Sequence, residues 1–198
     1  MVIIEHSNKS VGLRELTTGI QNDDVKVFRL ENVVIDGDGI DLTKFNKTLR
    51  GHPGIEDFSF INVTVSSPEV RLNSIIEMLL VTVPNIHVLR VEHTHAMSAD
   101  ALAAIGYCAS LKKLVISNNN FRDECGATIA AAVAQNGSIE HVDVTMNDMT
   151  DVGCAAFARA LEKNVHLQVL RLDGNGRISG SKMNELSCAL SERAAKAA

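Results

Sequence analysis

Between residues 111 and 175 the chain repeats one order of apolar and polar positions three times. Leu111 opens LKKLVISNN, Ile139 opens IEHVDVTMN and Leu167 opens LQVLRLDGN, so successive copies start 28 residues apart. Each copy is apolar at positions 1, 4 and 6 and carries asparagine at position 9: Asn119, Asn147 and Asn175. The alternation through positions 4 to 6 predicts a short strand with one side turned inward. A polar turn and a stretch rich in small residues follow each strand. In them Ile129 and Val133, like Phe157 and Leu161, stand four apart and form the buried stripe of a helix. A unit of this size cannot bury its apolar side alone. A fixed period of this length therefore predicts a stack in which neighbouring units share one core.

Upstream the same strand pattern recurs at less regular spacing. IHVLRVEHT starts at Ile86, IEDFSFINV at Ile55 and VKVFRLENV at Val25, at intervals of 25, 31 and 30, and position 9 is Thr94, Val63 and Val33 instead of asparagine. Six repeats starting near 25, 55, 86, 111, 139 and 167 thus span residues 25–180. Residues 1–24 are expected to be a partial repeat or cap, with an outer strand at 2–5 and a short helix at 11–20. Residues 181–198 are expected to be a C-terminal capping helix with a polar finish, ERAAKAA. Start signals place the helices between strands. Ser67-Pro68-Glu69 opens one that Pro84 stops, Ser98 opens 99–109, Asp123 opens 124–135, and Thr150 or Asp151 opens 152–163.

The pattern L-x-x-L-x-L-x-x-N resembles the leucine-rich repeat, and a period near 28 with a helix resembles its ribonuclease-inhibitor type. That resemblance implies an α/β, right-handed solenoid shaped as a horseshoe, with parallel strands on the concave face and helices on the convex face. It also implies that the position-9 asparagine bonds backbone groups of the turn and links adjacent coils. The implied role is that of a non-catalytic scaffold holding a protein partner on its concave face. A regulator of an enzyme partner, of the kind that Ran GTPase-activating proteins represent, is the alternative.

With positions 4 and 6 inward, positions 3, 5 and 7 form the opposite face. Three units repeat Arg-apolar-acid there: Arg29 with Glu31, Arg90 with Glu92, and Arg171 with Asp173. Those charges are expected to pair within each unit, and Asp143 should reach Arg171 on the next strand, about 4.8 Å away. Lys113 and His141 at position 3 and His93 at position 8 complete the candidate contacts. Exposed pairs contribute only ~0–1 kcal/mol each, so stability gives little reason for them. Arginine, by contrast, is enriched where proteins bind one another.

Bulk composition narrows the partners. The chain has 198 residues, a formal net charge of −5 and a pI near 5.8, which disfavours nucleic acid. No apolar run approaches the ~20 residues that span a bilayer, so no membrane partner is expected. No export signal is visible at the N-terminus. With that, the four cysteines without a C-x-x-C pair read as reduced thiols of a cytoplasmic protein. His93-Thr94-His95, with Glu92 and His87 near, lacks the fixed third and fourth ligands that zinc needs. Asp36-x-Asp38 has Ile40 at the third ligand position of a calcium loop and no closing glutamate. No phosphate-binding glycine loop and no nucleophile elbow occurs. Neither metal, cofactor nor catalytic residue is expected. Self-association through an open end of the solenoid is a further expectation to test.

Overall fold

A computed structural model describes residues 2–36, 42–66, 71–94 and 97–197. Eight strands form one parallel sheet: β1 (Val2–Gly12), β2 (Val25–Asp36), β3 (Asp57–Ile61), β4 (Thr64–Val65), β5 (Val88–Glu92), β6 (Lys113–Val115), β7 (His141–Asp143) and β8 (Val169–Arg171). Their order is β1-β2-β3-β5-β6-β7-β8, with β4 pairing β2 beyond the end of β3. Every pairing is parallel, and repeat positions lie opposite one another in register: Phe28, Phe58, Leu89, Leu114, Val142 and Leu170 line up across six strands. Helices α1 (Leu13–Gly19), α2 (Leu42–Leu49), α3 (Leu72–Thr82), α4 (Ala99–Ala104), α5 (Asp123–Gln135), α6 (Asp151–Lys163) and α7 (Gly180–Ala197) alternate with the strands. The sheet is open, as an α/β solenoid requires.

The core is the sum of the repeat columns. All side chains at positions 1, 4 and 6 of the six repeats are buried, from Val25, Phe28 and Leu30 to Leu167, Leu170 and Leu172. Burying one such side chain is worth about 1.5–3 kcal/mol, and this burial holds each coil to the next. The first half fills its columns with rings. Phe28 stacks on Phe58 with centroids 4.7 Å apart, and Phe60 meets Phe58 edge-on at 4.8 Å.

Position 9 divides the molecule in two. In the second half the asparagines are buried and bond from coil to coil. Asn147 accepts from the backbone N–H of Asn119 at 3.0 Å and of Phe121 at 3.3 Å, and donates to the carbonyl of Ile116 at 2.6 Å. Asn175 repeats this one coil on, accepting from the N–H of Asn147 at 2.9 Å and of Met149 at 3.1 Å. In the first half Val33 and Val63 are buried at the same position. Valine offers the turn no side-chain hydrogen bond, and there the backbone returns to an extended course after the left-handed Asn32 and Asn62 and bonds strand to strand. Strand β2 runs on to Asp36, with Val34 and Ile35 opposite Thr64 and Val65 of β4.

Several expectations need correction. Strand β1 reaches Gly12, well beyond residue 5, because it pairs along β2 from Val2 to Gly12. Helix α4 ends at Ala104 and a single 3-10 turn, Ile105–Tyr107, completes the segment expected to be helical to 109. Asp123 does not cap α5, whose preceding residue Arg122 makes no side-chain capping bond. Instead its carboxylate accepts from the N–H of Thr150 at 2.8 Å and of Gly153 at 2.9 Å, and so caps the start of α6 in the next coil. Helix α2 had no sequence signal of its own. The signal Ser67-Pro68-Glu69 lies outside the described residues, and α3 begins at Leu72. Ser98 and Thr150 cap α4 and α6 as their sequence indicates.

Candidate interaction face

One residue of each coil sits in the left-handed region at the same place in the repeat. Asn8, Asn32, Asn62, His93, Asn118 and Met146 all have φ between 50 and 56°, and Gly174 has φ 73°. All stand at position 8, so the backbone bends at the same point in every coil, and in β1 and β2 pairing resumes beyond the bend. Asparagine tolerates this conformation well, whereas histidine and methionine adopt it at greater cost. At Gly174 a Cβ would also lie 2.6 Å from Cγ of Met146, so two independent constraints demand glycine there. His93 is thereby held exposed at the rim of the strand face.

Positions 3, 5 and 7 carry the charged side chains. Arg90 pairs with Glu92 at 2.5 Å, and Glu92 also accepts from the hydroxyl of Ser117 at 2.6 Å. Arg171 reaches Asp143 at 3.7 Å on the neighbouring strand, as the spacing required. Asp173 has no ion-pair partner among the described residues, so the third unit pairs sideways and not within itself. The expected Arg29–Glu31 pair is also replaced, because Arg29 meets Glu5 of β1 at 3.7 Å. Side chains two apart on a strand share a face, but the neighbouring strand is closer. Lys113 is half-buried between Val88 and His141 in register. Burial, then the charge of Lys113, pushes His141 below the ordinary histidine range, with Asp143 opposing the shift. The shift favours the neutral imidazole.

Arg90, Glu92, Lys113, His141, Asp143 and Arg171 thus occupy four consecutive strands, β5 to β8. Arg29 and Glu31 stand apart, because the buried Ser59 of β3 separates Arg29 from Arg90. Among the described residues no group of three or more His, Cys, Asp or Glu is placed to hold a metal, and His95 lies outside them. No helix among them is long and apolar enough to cross a membrane.

Three features escaped the sequence reading. One is a second asparagine ladder at the corner where each helix returns to a strand. Asn136 donates to the carbonyls of Ile105 and Cys108 at 2.7 and 2.9 Å, and Asn164 to those of Val133 and Asn136 at 2.6 and 2.9 Å. Arg193 of α7 ends the ladder by donating to the carbonyls of Leu161 and Asn164. The recurrence of asparagine three residues before Ile139 and Leu167 was its signal. The second feature is a row of ion pairs at position 2, Lys26–Glu56 at 2.8 Å and Lys112–Glu140 at 3.0 Å. The third is a shallow depression across β2, β3 and β5, lined by Lys26, Val27, Glu56, Asp57, His87 and Val88.

The sequence model of the Leucine Rich repeat family matches residues 107–130 and 135–158, two of the regular coils. Those two coils are leucine-rich repeats. Part of it is similar to human Protein NLRC5, at 32% identity over 68 residues, which is 34% of this chain and 4% of that protein's length. The leucine-rich repeat fold also matches a solved structure titled Leiomodin-1 Actin-Binding Site 2, with TM-score 0.55 and 21% identity over 64% of this chain and 75% of that one. Leucine-rich repeats serve broadly as modules for protein–protein interaction.

Proposed function

We propose that this chain is a non-catalytic cytoplasmic scaffold that holds a protein partner on its strand face. The contacts are Arg90, Glu92, His93, Lys113, His141, Asp143, Arg171 and Asp173, with Arg29 and Glu31 at the far side. One observation carries the reading: six ionisable side chains are gathered on adjacent strands β5 to β8, at positions the core does not use. Exposed ion pairs of this kind add ~0–1 kcal/mol to stability. The same arginines, set on a rigid sheet, offer a partner pre-organised donors for carboxylates and backbone carbonyls. The four cysteines stand as free thiols, which supports a reducing compartment.

The test is capture of partners from the native cell on tagged wild-type protein and on the double variant Arg90→Glu, Arg171→Glu, followed by mass spectrometry. The reading expects a protein retained by the wild type and weakened about tenfold or more by the reversal. Equal retention by both would refute use of this face. Adding the purified chain to a panel of small GTPases separates the rival role: the scaffold reading expects no stimulation of GTP hydrolysis, and stimulation would make it a regulator.

A further inference from the structure

We propose that the depression across β2, β3 and β5 is a subsite for one lysine or arginine side chain of a protein partner. The inference rests on the strand face being the binding face and names the chemistry that its N-terminal half recognises. The register places Asp57 between Val27 and Val88, at position 3 of three adjacent strands. Both valines and Asp57 are half-buried, so the carboxylate lies between two aliphatic walls.

The charges decide the occupant. Glu5, Glu92 and Asp143 each have an arginine within ion-pair distance, and Glu56 has Lys26 at 2.8 Å. Asp57 has none among the described residues. Its bond is from the hydroxyl of Ser59 at 2.8 Å, and Ser59 is fully buried, which fixes the direction of the carboxylate. Glu31 and Asp173 also have no cation among the described residues, but neither lines the depression. An apolar side chain placed here would strip water from Asp57 and give nothing in return. A phosphate or carboxylate would be repelled. A basic side chain satisfies both parts: its methylenes lie on Val27 and Val88, and its head group makes a charge-assisted hydrogen bond to Asp57.

The experiment is an amide NMR titration of the whole chain with three probes: N-acetyl-arginine amide, N-acetyl-lysine amide and, as neutral control, N-acetyl-glutamine amide. Saturable shifts at Val27, Asp57 and Val88 are expected with the two cationic probes and not with the third. Asp57→Asn should weaken the response about tenfold, and Arg159→Glu on the exposed side of α6 should leave it unchanged. Val88→Lys, which supplies an internal cation and keeps the carboxylate, should abolish it and serves if Asp57→Asn does not fold. Equal response to the glutamine probe, an undiminished response in both variants, or no saturable shift would overturn the proposal. The probes need no partner. Failure of the strand face to capture any protein would therefore overturn the scaffold reading alone, and capture without probe binding would overturn the subsite alone.

Discussion

Replacing Asn147 with alanine tests whether the asparagine ladder or the apolar columns hold the regular half of the solenoid together. The side chain is buried and serves five backbone groups, accepting from the N–H of Asn119 and Phe121 and donating to the carbonyls of Ile116, Val144 and Thr145. Alanine leaves two buried N–H groups without that acceptor and the Ile116 carbonyl without its 2.6 Å donor. Each abandoned buried group costs about 1–3 kcal/mol, and relaxation of the turn offsets part of the total, so a net loss of about 3–5 kcal/mol follows. A left-handed residue precedes position 9 in both halves. Here a second one follows it, Asp148 at φ 60°, whereas after Val33 and Val63 the chain returns to an extended, paired course. Asn147→Val should therefore fare no better than alanine. Urea unfolding measures the loss, and hydrogen exchange at Asn119 and Phe121 reads the abandoned amides directly. A loss below about 1 kcal/mol with unchanged protection of those amides would show that the ladder is incidental to coil stacking.

Leu114→Ala at position 4, buried at 0% exposure, should cost about 2–5 kcal/mol through lost burial and a cavity, and a shift below 1 kcal/mol on urea unfolding would remove it from the core. Gly174→Ala should destabilise by about 1–2 kcal/mol, because φ is +73° there and the added methyl meets Met146; thermal unfolding with Met146→Ala as background separates the clash from the backbone cost. Partial burial works against ionisation of Asp123, but hydrogen bonds from Thr150 and Gly153, helped by Arg177, hold its carboxyl below the usual carboxylate range. A depressed folded pKa stabilises the fold above the unfolded value, near pH 4, and that contribution is lost as pH falls through the folded value. Asp123→Asn should accordingly lose stability at neutral pH and approach the wild type on acidification, as denaturation at a series of pH values would show.

The order of apolar and polar positions was enough to place six strands, the inward columns and the helices between most of them. The reason is that burial acts position by position. An apolar side chain kept out of water contributes about 1.5–3 kcal/mol wherever the repeat puts it, and a fixed period leaves only one way for the columns to line up. The role of Asn119, Asn147 and Asn175 came with the resemblance to the leucine-rich repeat, and Asn147 and Asn175 accept from backbone groups of the preceding coil as that resemblance implies. What only the tertiary structure decided is which neighbour each polar side chain meets. Arg29 turns to Glu5 and away from Glu31, Asp123 caps the helix of the following coil, Arg193 completes the corner ladder, and Asp57 is left without a cation between two valines. These partners come from coils roughly one repeat away, and rival pairings differ by about 1 kcal/mol or less. A margin that small leaves no trace in composition or spacing, and the close approach of adjacent strands selects among the alternatives.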